Sequence, residues 1–246
     1  MSKIKGFFKE CFILIKSVPP LLLTLFVISI ILMNIFANKS IDTGVSFIAL
    51  DAGIVISWVA FLSMDILTKR FGPRAATIVS IFALLINLLF SLLFLAISFI
   101  PGVWSESFID GSENIINNAL DRTFRGSWYI IIGSSIAFAA SAFINNFLNF
   151  LIGKLIKNNK SFTAFALRSY ISTFIAQFSD NLIFALIVSH FFFGWSITQC
   201  LICALIGAIF ELVSEIIFSP LGYKIVRKME DENRGHEYLD LYGVKE

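Results

Sequence analysis

Six apolar runs, at about residues 20 to 37, 53 to 71, 74 to 99, 127 to 152, 162 to 192 and 196 to 219, constrain what this chain can fold into more than any other feature. Each approaches the roughly 20 residues a helix needs to cross about 30 Å of hydrocarbon, and none shows the short alternating segments of an outer-membrane barrel. Apolar residues make up 57% of the 246 and charged ones 15%, a balance that water-soluble domains do not reach. The expected fold is all-α, a polytopic membrane protein with six transmembrane helices.

Charges between the runs alternate. Lys3, Lys5, Lys9 and Lys16 precede the first; Lys69, Arg70 and Arg74 follow the second; Lys154, Lys157 and Lys160 follow the fourth; Lys224, Arg227 and Lys228 follow the sixth. The other connections carry Lys39, Asp42 and Asp51, then the net acidic "PGVWSESFIDGSENIINNALDRTFRG", then His190. Cytoplasmic loops retain Lys and Arg, so both termini are expected inside, in a multi-pass protein of the cell inner (plasma) membrane. Residues 1–18, broken by charges and ending in Pro19-Pro20, read as a retained amphipathic helix at the interface rather than a cleaved signal. Residues 19–228 then form a single six-span domain and 229–246 a charged, mobile cytoplasmic tail. A short surface helix is expected near residues 112 to 121, and "IDTGVSFIALDAG" is a candidate cover for an external mouth.

An ionisable side chain in hydrocarbon costs at least about 2.5 to 3.5 kcal/mol on insertion scales, so each needs a partner, a cavity or an interface. In the fifth run Thr173, Gln177 and Asp180 fall at i, i+4 and i+7, on one stripe of a helix. Arg168 lies about 120° away around the axis and about three turns nearer the cytoplasm, too far to pair with Asp180; a snorkelling arginine is the competing reading. In the fourth run Ser134, Ser141, Asn145 and Asn149 make a second stripe, a pattern that also suits a helix-packing seam. The second run puts Trp58, Phe61, Asp65 and Thr68 on a common face, with Asp65 about a turn from Lys69 and Arg70, so an ion pair competes with a ligand role. In the sixth, Gly207, Glu211 and Glu215 recur every four residues, and two carboxylates are hard to explain as packing. Asn87 in the third is isolated and reads as structural. Stripes that face one another would enclose a wet, charged cavity, the signature of a substrate pathway.

Enzyme chemistry has no motif here. His190 and His236 are far apart, with the second in the tail, and there is no phosphate loop or nucleophile elbow. Cys11, Cys200 and Cys203 have no metal spacing and read as packing residues. A net charge of +2 argues for no nucleic-acid partner. No metal or cofactor is expected; the expected partners are the lipid bilayer and a small-molecule substrate.

The stretches "DAGIVISWVAFLSMDILTKRFGPRA" (51 to 75), "SSIAFAASAFINNFLNFLIGKL" and "LRSYISTFIAQFSDNLIF" together resemble the queuosine precursor transporter family, also called the vitamin uptake transporter or VUT family. The similarity covers roughly residues 45 to 228. It implies six spans in the inner membrane and import of a 7-deazaguanine base, preQ0, preQ1 or queuine, for modification of transfer RNA. The chain departs from the family pattern D-I-L-T-E-V-Y-G at Lys69, Arg70 and Phe71. For such a base, one carboxylate can accept N1–H and the 2-amino group bidentately. Asp180 or Glu211 suits that role, with Gln177 as orienting neighbour, Arg168, Asn145 and Asn149 as donors, and Trp58 or a phenylalanine stacked on the ring. Asp65 and Thr173 complete the candidate substrate-binding set. The competing readings are a substrate-binding subunit of an energy-coupling-factor importer, which needs partner subunits, and a membrane scaffold or enzyme subunit without transport.

Overall fold

The computed structural model describes residues 2–41, 43–45, 48, 50–104, 111, 113–126, 128–156 and 161–242. In order, the chain forms α1 (Ser2–Ser17), α2 (Pro20–Phe36), a small antiparallel ladder of β1 (Ser40–Ile41) and β2 (Leu50–Asp51), α3 (Ile54–Phe71), α4 (Pro73–Ile97), α5 (Glu113–Gly126) and α6 (Trp128–Leu155). There follow α7 (Phe162–Phe184), continued by a π turn (Ala185–His190), α8 (Phe191–Phe193), α9 (Ile197–Asp231) and α10 (His236–Tyr242).

A helix stands at each of the six expected positions, and α5 is the expected short helix before the fourth. Among the described residues, four runs are long and apolar enough to cross a membrane: Pro73–Ile97, Asn114–Leu155, Phe162–His190 and Ile197–Asp231. A fifth is the pair Lys5–Ser17 and Pro20–Phe36 taken together, bent by 106°. By itself α3 does not qualify, because Asp65, Lys69 and Arg70 fall within its 18 residues. It tolerates them because it is the axial helix, packed by α2, α4, α6, α7 and α9, with Phe61, Met64, Asp65 and Leu67 wholly buried. Lipid is met instead by the outer faces of α4 and α9, where Leu85, Leu89, Leu92, Leu205, Ile209 and Val213 are exposed.

Local chemistry fixes the ends. Pro20 and Pro73 open their helices at a first-turn position, where the missing N–H costs nothing. Gly72, at φ 86°, makes the tight turn from α3 to α4 that a residue with a side chain would resist. Ser196 and Gln199 close a capping box at the start of α9. Within α9, Pro220 cannot bond the carbonyl of Ile216, and Ser219 Oγ donates to that oxygen at 3.2 Å instead.

α6 and α7 run antiparallel, with Ser141 against Asp180 and Asn149 against Arg168. α3 and α9 run parallel, with Ser57 against Glu211 and Asp65 at the level of Glu215. The end of α3 with Lys69 and Arg70, the start of α4 with Arg74 and the far part of α9 with Lys224, Arg227 and Lys228 therefore gather at one end of the bundle. Part of the loop-charge expectation rests on Asp42, Glu106, Asp110, Lys157 and Lys160, which lie outside the described residues.

Of the segment after residue 228, expected to be a mobile tail, residues 229–242 are described: α9 continues to Asp231 and α10 packs back on α1. Tyr238 is wholly buried, meets the ring of Phe71 edge-on at 6.1 Å, and donates its hydroxyl to Glu10 Oε1 at 3.4 Å. Glu10, also buried, accepts Arg74 Nη2 at 2.6 Å, and Arg70 Nη2 donates to the carbonyl of Arg234 at 2.7 Å. Burial and the Glu10 carboxylate push the Tyr238 phenol above its ordinary range. One clasp thus joins both ends of the chain to the α3–α4 turn. Tyr238→Ala should cost about 3 kcal/mol, the usual penalty for emptying a buried aromatic position, and lower the thermal unfolding temperature in detergent. A tail that adds nothing to stability would leave that temperature unchanged.

Candidate functional site

Asp65, in the middle of α3, is wholly buried, so its carboxyl needs donors that hydrocarbon cannot supply. Four side chains provide them. Oδ1 accepts Asn145 Nδ2 at 2.9 Å and Asn149 Nδ2 at 2.7 Å, both from α6. Oδ2 accepts Thr173 Oγ1 at 3.0 Å and the Ser169 hydroxyl, both from α7. Ser169 Oγ also lies 2.6 Å from Glu215 Oε1 on α9, so this inner cluster ties together four helices. Arg168 Nε donates to Asn149 Oδ1 at 2.8 Å. Gly153 on α6 makes room for that guanidinium, since a Cβ there would stand 2.9 Å from Nη1.

An outer cluster lies farther from the basic end. Ser141 Oγ donates to Asp180 Oδ1 at 2.8 Å, while Glu211 accepts the Ser57 hydroxyl on Oε1 and Asn181 Nδ2 on Oε2 at 3.1 Å. Asp51, just ahead of α3, accepts the Gly53 N–H at 2.8 Å. Asp51, Ser134, Asp180, Asn181 and Glu211 line a cavity of about 20 Å³ together with Met33 and Phe184. That is room for about one water molecule. The "IDTGVSFIALDAG" stretch thus reaches the mouth through Asp51, while residues 42, 46, 47 and 49 of it lie outside the described residues.

Between the clusters sits Gln177. On α7 the residue one turn before it, Thr173, binds Asp65, and the residue one turn after it, Asn181, binds Glu211. Gln177 is wholly buried, yet neither its Oε1 nor its Nε2 has a partner. Asn145 Oδ1 and Glu215 Oε2 are likewise buried and unpartnered. Buried polar groups are nearly always satisfied, so three such residues on α6, α7 and α9, at or between the levels of the two clusters, ask for a ligand. On α7 the polar seam runs from Ser169 to Asn181, just over three helical turns or about 18 Å.

Of the expected residues, Asp65, Asn145, Asn149, Arg168 and Thr173 meet in the inner cluster, Asp180 and Glu211 in the outer one, and Gln177 between. Trp58 does not join them. It stacks on Phe218 at 4.1 Å and 11° and donates Nε1 to Val55 O of its own helix at 3.0 Å, so its ring, expected as a platform for the ligand, is turned away from both clusters. Arg168 is 4% exposed and held by Asn149, so it is not snorkelling. Asp65 is bound by neutral donors rather than by Lys69 or Arg70, because their positions follow the helix toward the basic end. Ser57, Ser169 and Asn181 were missed. Extending the 173–177 stripe back one turn reaches Ser169 and extending it forward one turn reaches Asn181, so the periodicity held that signal.

A family model described as "Putative vitamin uptake transporter" matches residues 51–225. No curated protein and no solved structure matches the chain significantly. The matched stretch contains every residue of both clusters; α1 and α10 lie outside it.

Asp51 lies at the end of β2, between α2 and α3, and burial pushes its carboxyl up to about 6 against the lowering pull of backbone N–H groups. A raised carboxyl favours the folded state while protonated, so its contribution is full below about pH 4 and is lost as pH rises through about 6. Asp51→Asn should remove that dependence and raise stability at neutral pH by at most about 3 kcal/mol, read from unfolding temperatures across pH 4 to 8.

Proposed function

The chain belongs to the vitamin uptake transporter family, whose model it matches over residues 51–225, and on that premise we propose that it imports a queuosine precursor, a 7-deazaguanine base, across the inner membrane. The protein crosses six times with both termini in the cytoplasm, so the basic end of the bundle faces inward. The observation that carries this reading is the set of unpartnered atoms in a seam otherwise saturated with hydrogen bonds: Gln177 Oε1 and Nε2, Asn145 Oδ1 and Glu215 Oε2.

Their chemistry complements the base. Asn145 donates its amide nitrogen to Asp65, which fixes its oxygen as an acceptor, and Glu215 Oε2 is a second acceptor. A deazaguanine edge offers N1–H and a 2-amino group to these two, as charge-assisted bonds at the carboxylate. Its O6 accepts from the Gln177 amide. Asp65, Asn149, Arg168 and Thr173 hold the inner wall, and Asp180 and Glu211 receive the base from the outer side. The outer cavity, at about 20 Å³, admits a water and not a ring. Loading therefore requires the helices around it to part, and release requires the inner cluster to open in turn, as alternating access demands.

Uptake of labelled preQ0, preQ1 and queuine into vesicles, with and without an imposed pH gradient, tests the substrate; if none enters under either condition, the assignment to this base class is wrong. Asp180→Asn should weaken binding far more than tenfold, or more than about 1.4 kcal/mol, and unchanged affinity would remove Asp180 from the path. Gln177→Met gives a sharper outcome. Because Gln177 has no internal partner, replacing its amide with an apolar chain of similar volume should raise the unfolding temperature while weakening base binding at least tenfold. A fall in stability with binding intact would make Gln177 a packing residue.

A further inference from the structure

A second cavity, of about 110 Å³, lies on the other side of α2 from the seam, toward the end of the bundle opposite the basic one. The last turns of α2 divide the two: Met33 and Ala37 line the outer mouth of the seam, while Asn34 and Asn38 line this cavity. Its walls are apolar and aromatic, with Phe90 and Phe94 from α4 and Phe124 from α5. None of the described residues that line it is charged. α5 forms the roof and is held down by aromatic contacts, Phe124 stacking on Phe94 at 4.9 Å and on Trp104 at 4.9 Å.

Of the three asparagines in the lining, Asn34 and Asn87, on facing helices, each carry a buried atom without a partner. Asn34, 6% exposed, donates Nδ2 to Ile30 O at 3.0 Å, which commits its Oδ1 to be an acceptor; that oxygen has no partner. Asn87, 2% exposed, has an unpartnered Nδ2, a donor. The two do not bond each other. A buried acceptor and a buried donor are therefore left open on the wall of one cavity, where each lowers the stability of the empty protein. An apolar cavity of about 150 Å³ takes up a benzene ring, so the volume here is of the right order for one small flat ring.

We propose that this cavity is a separate binding site for a small, neutral, planar molecule bearing an N–H beside a C=O, a cyclic amide or lactam. The N–H donates to Asn34 Oδ1, the carbonyl accepts from Asn87 Nδ2, and the ring lies among Phe90, Phe94 and Phe124. Among the described lining residues none is charged, so the donor and acceptor there suit a neutral ligand rather than an ionic one, whose lost hydration those residues would not repay. The site does not depend on the transport reading, since it shares no residue with the seam.

The test uses the full-length protein in detergent with 2-pyridone, a single-ring lactam, and N-methyl-2-pyridone, in which the donor is blocked. 2-Pyridone should bind saturably, by thermal shift and by ligand-observed NMR, and the methylated analogue at least tenfold more weakly. Asn34→Leu and Asn87→Leu should each weaken 2-pyridone binding at least tenfold while leaving the unliganded unfolding temperature equal or higher. Equal affinity for the two pyridones would mean a hydrophobic gap that a lipid chain fills. No saturable binding of either would mean a packing defect holding water. Either result overturns the proposal, as does 2-pyridone binding that survives both substitutions, or a failure of both variants to fold.

Discussion

Asp65 is the point on which the bundle depends. A carboxyl on an axial helix, out of reach of water, is accepted only because two helices bring four neutral donors to it and a third meets it through a shared serine. Removing a partner from a buried charge costs more than the bond itself, because desolvation is left uncompensated. The same arrangement sets the relative height and rotation of α3, α6, α7 and α9, which apolar contacts between slippery helix faces would fix far less sharply. In a bilayer, where lipid chains are as apolar as leucine, that specificity matters more than the modest net energy of each bond.

The seam is not uniformly satisfied. Asp65 has donors on both oxygens at its inner end and the outer end surrounds space for a water, while Asn145 Oδ1 and Glu215 Oε2 of the inner cluster and both amide atoms of Gln177 have no partner. Such groups lower the stability of the empty bundle, because each is desolvated without a partner.

The helices were legible because hydrocarbon thickness writes itself into the chain as run length, and each apolar run became a helix. The polar residues were legible for the same reason, as exceptions to the run. Asp65, Asn145, Asn149, Arg168 and Thr173 converge as their stripes implied. What periodicity does not contain is the rotation of one helix about another. It placed Trp58 on the Asp65 face, seven residues away, yet the ring turns to Phe218 and leaves the seam. It could not show that Asn34 and Asn87, each isolated in its own run, look at one cavity from opposite sides. Charge density after residue 228 suggested solvation, whereas α10 docks through Tyr238 against Phe71 and Glu10, with Arg70 bonded to the Arg234 carbonyl beside it.

That docking has a topological consequence. α1 and α10 grip each other, so the first and last helices of the chain finish as neighbours although more than two hundred residues separate them. Cutting the chain in a surface connection between two spans would therefore leave the α1–α10 joint closed and the two pieces held together. Strain applied to α1 or α10 would instead pull on the same joint, and through Phe71 and Arg74 it would reach the turn into the axial helix.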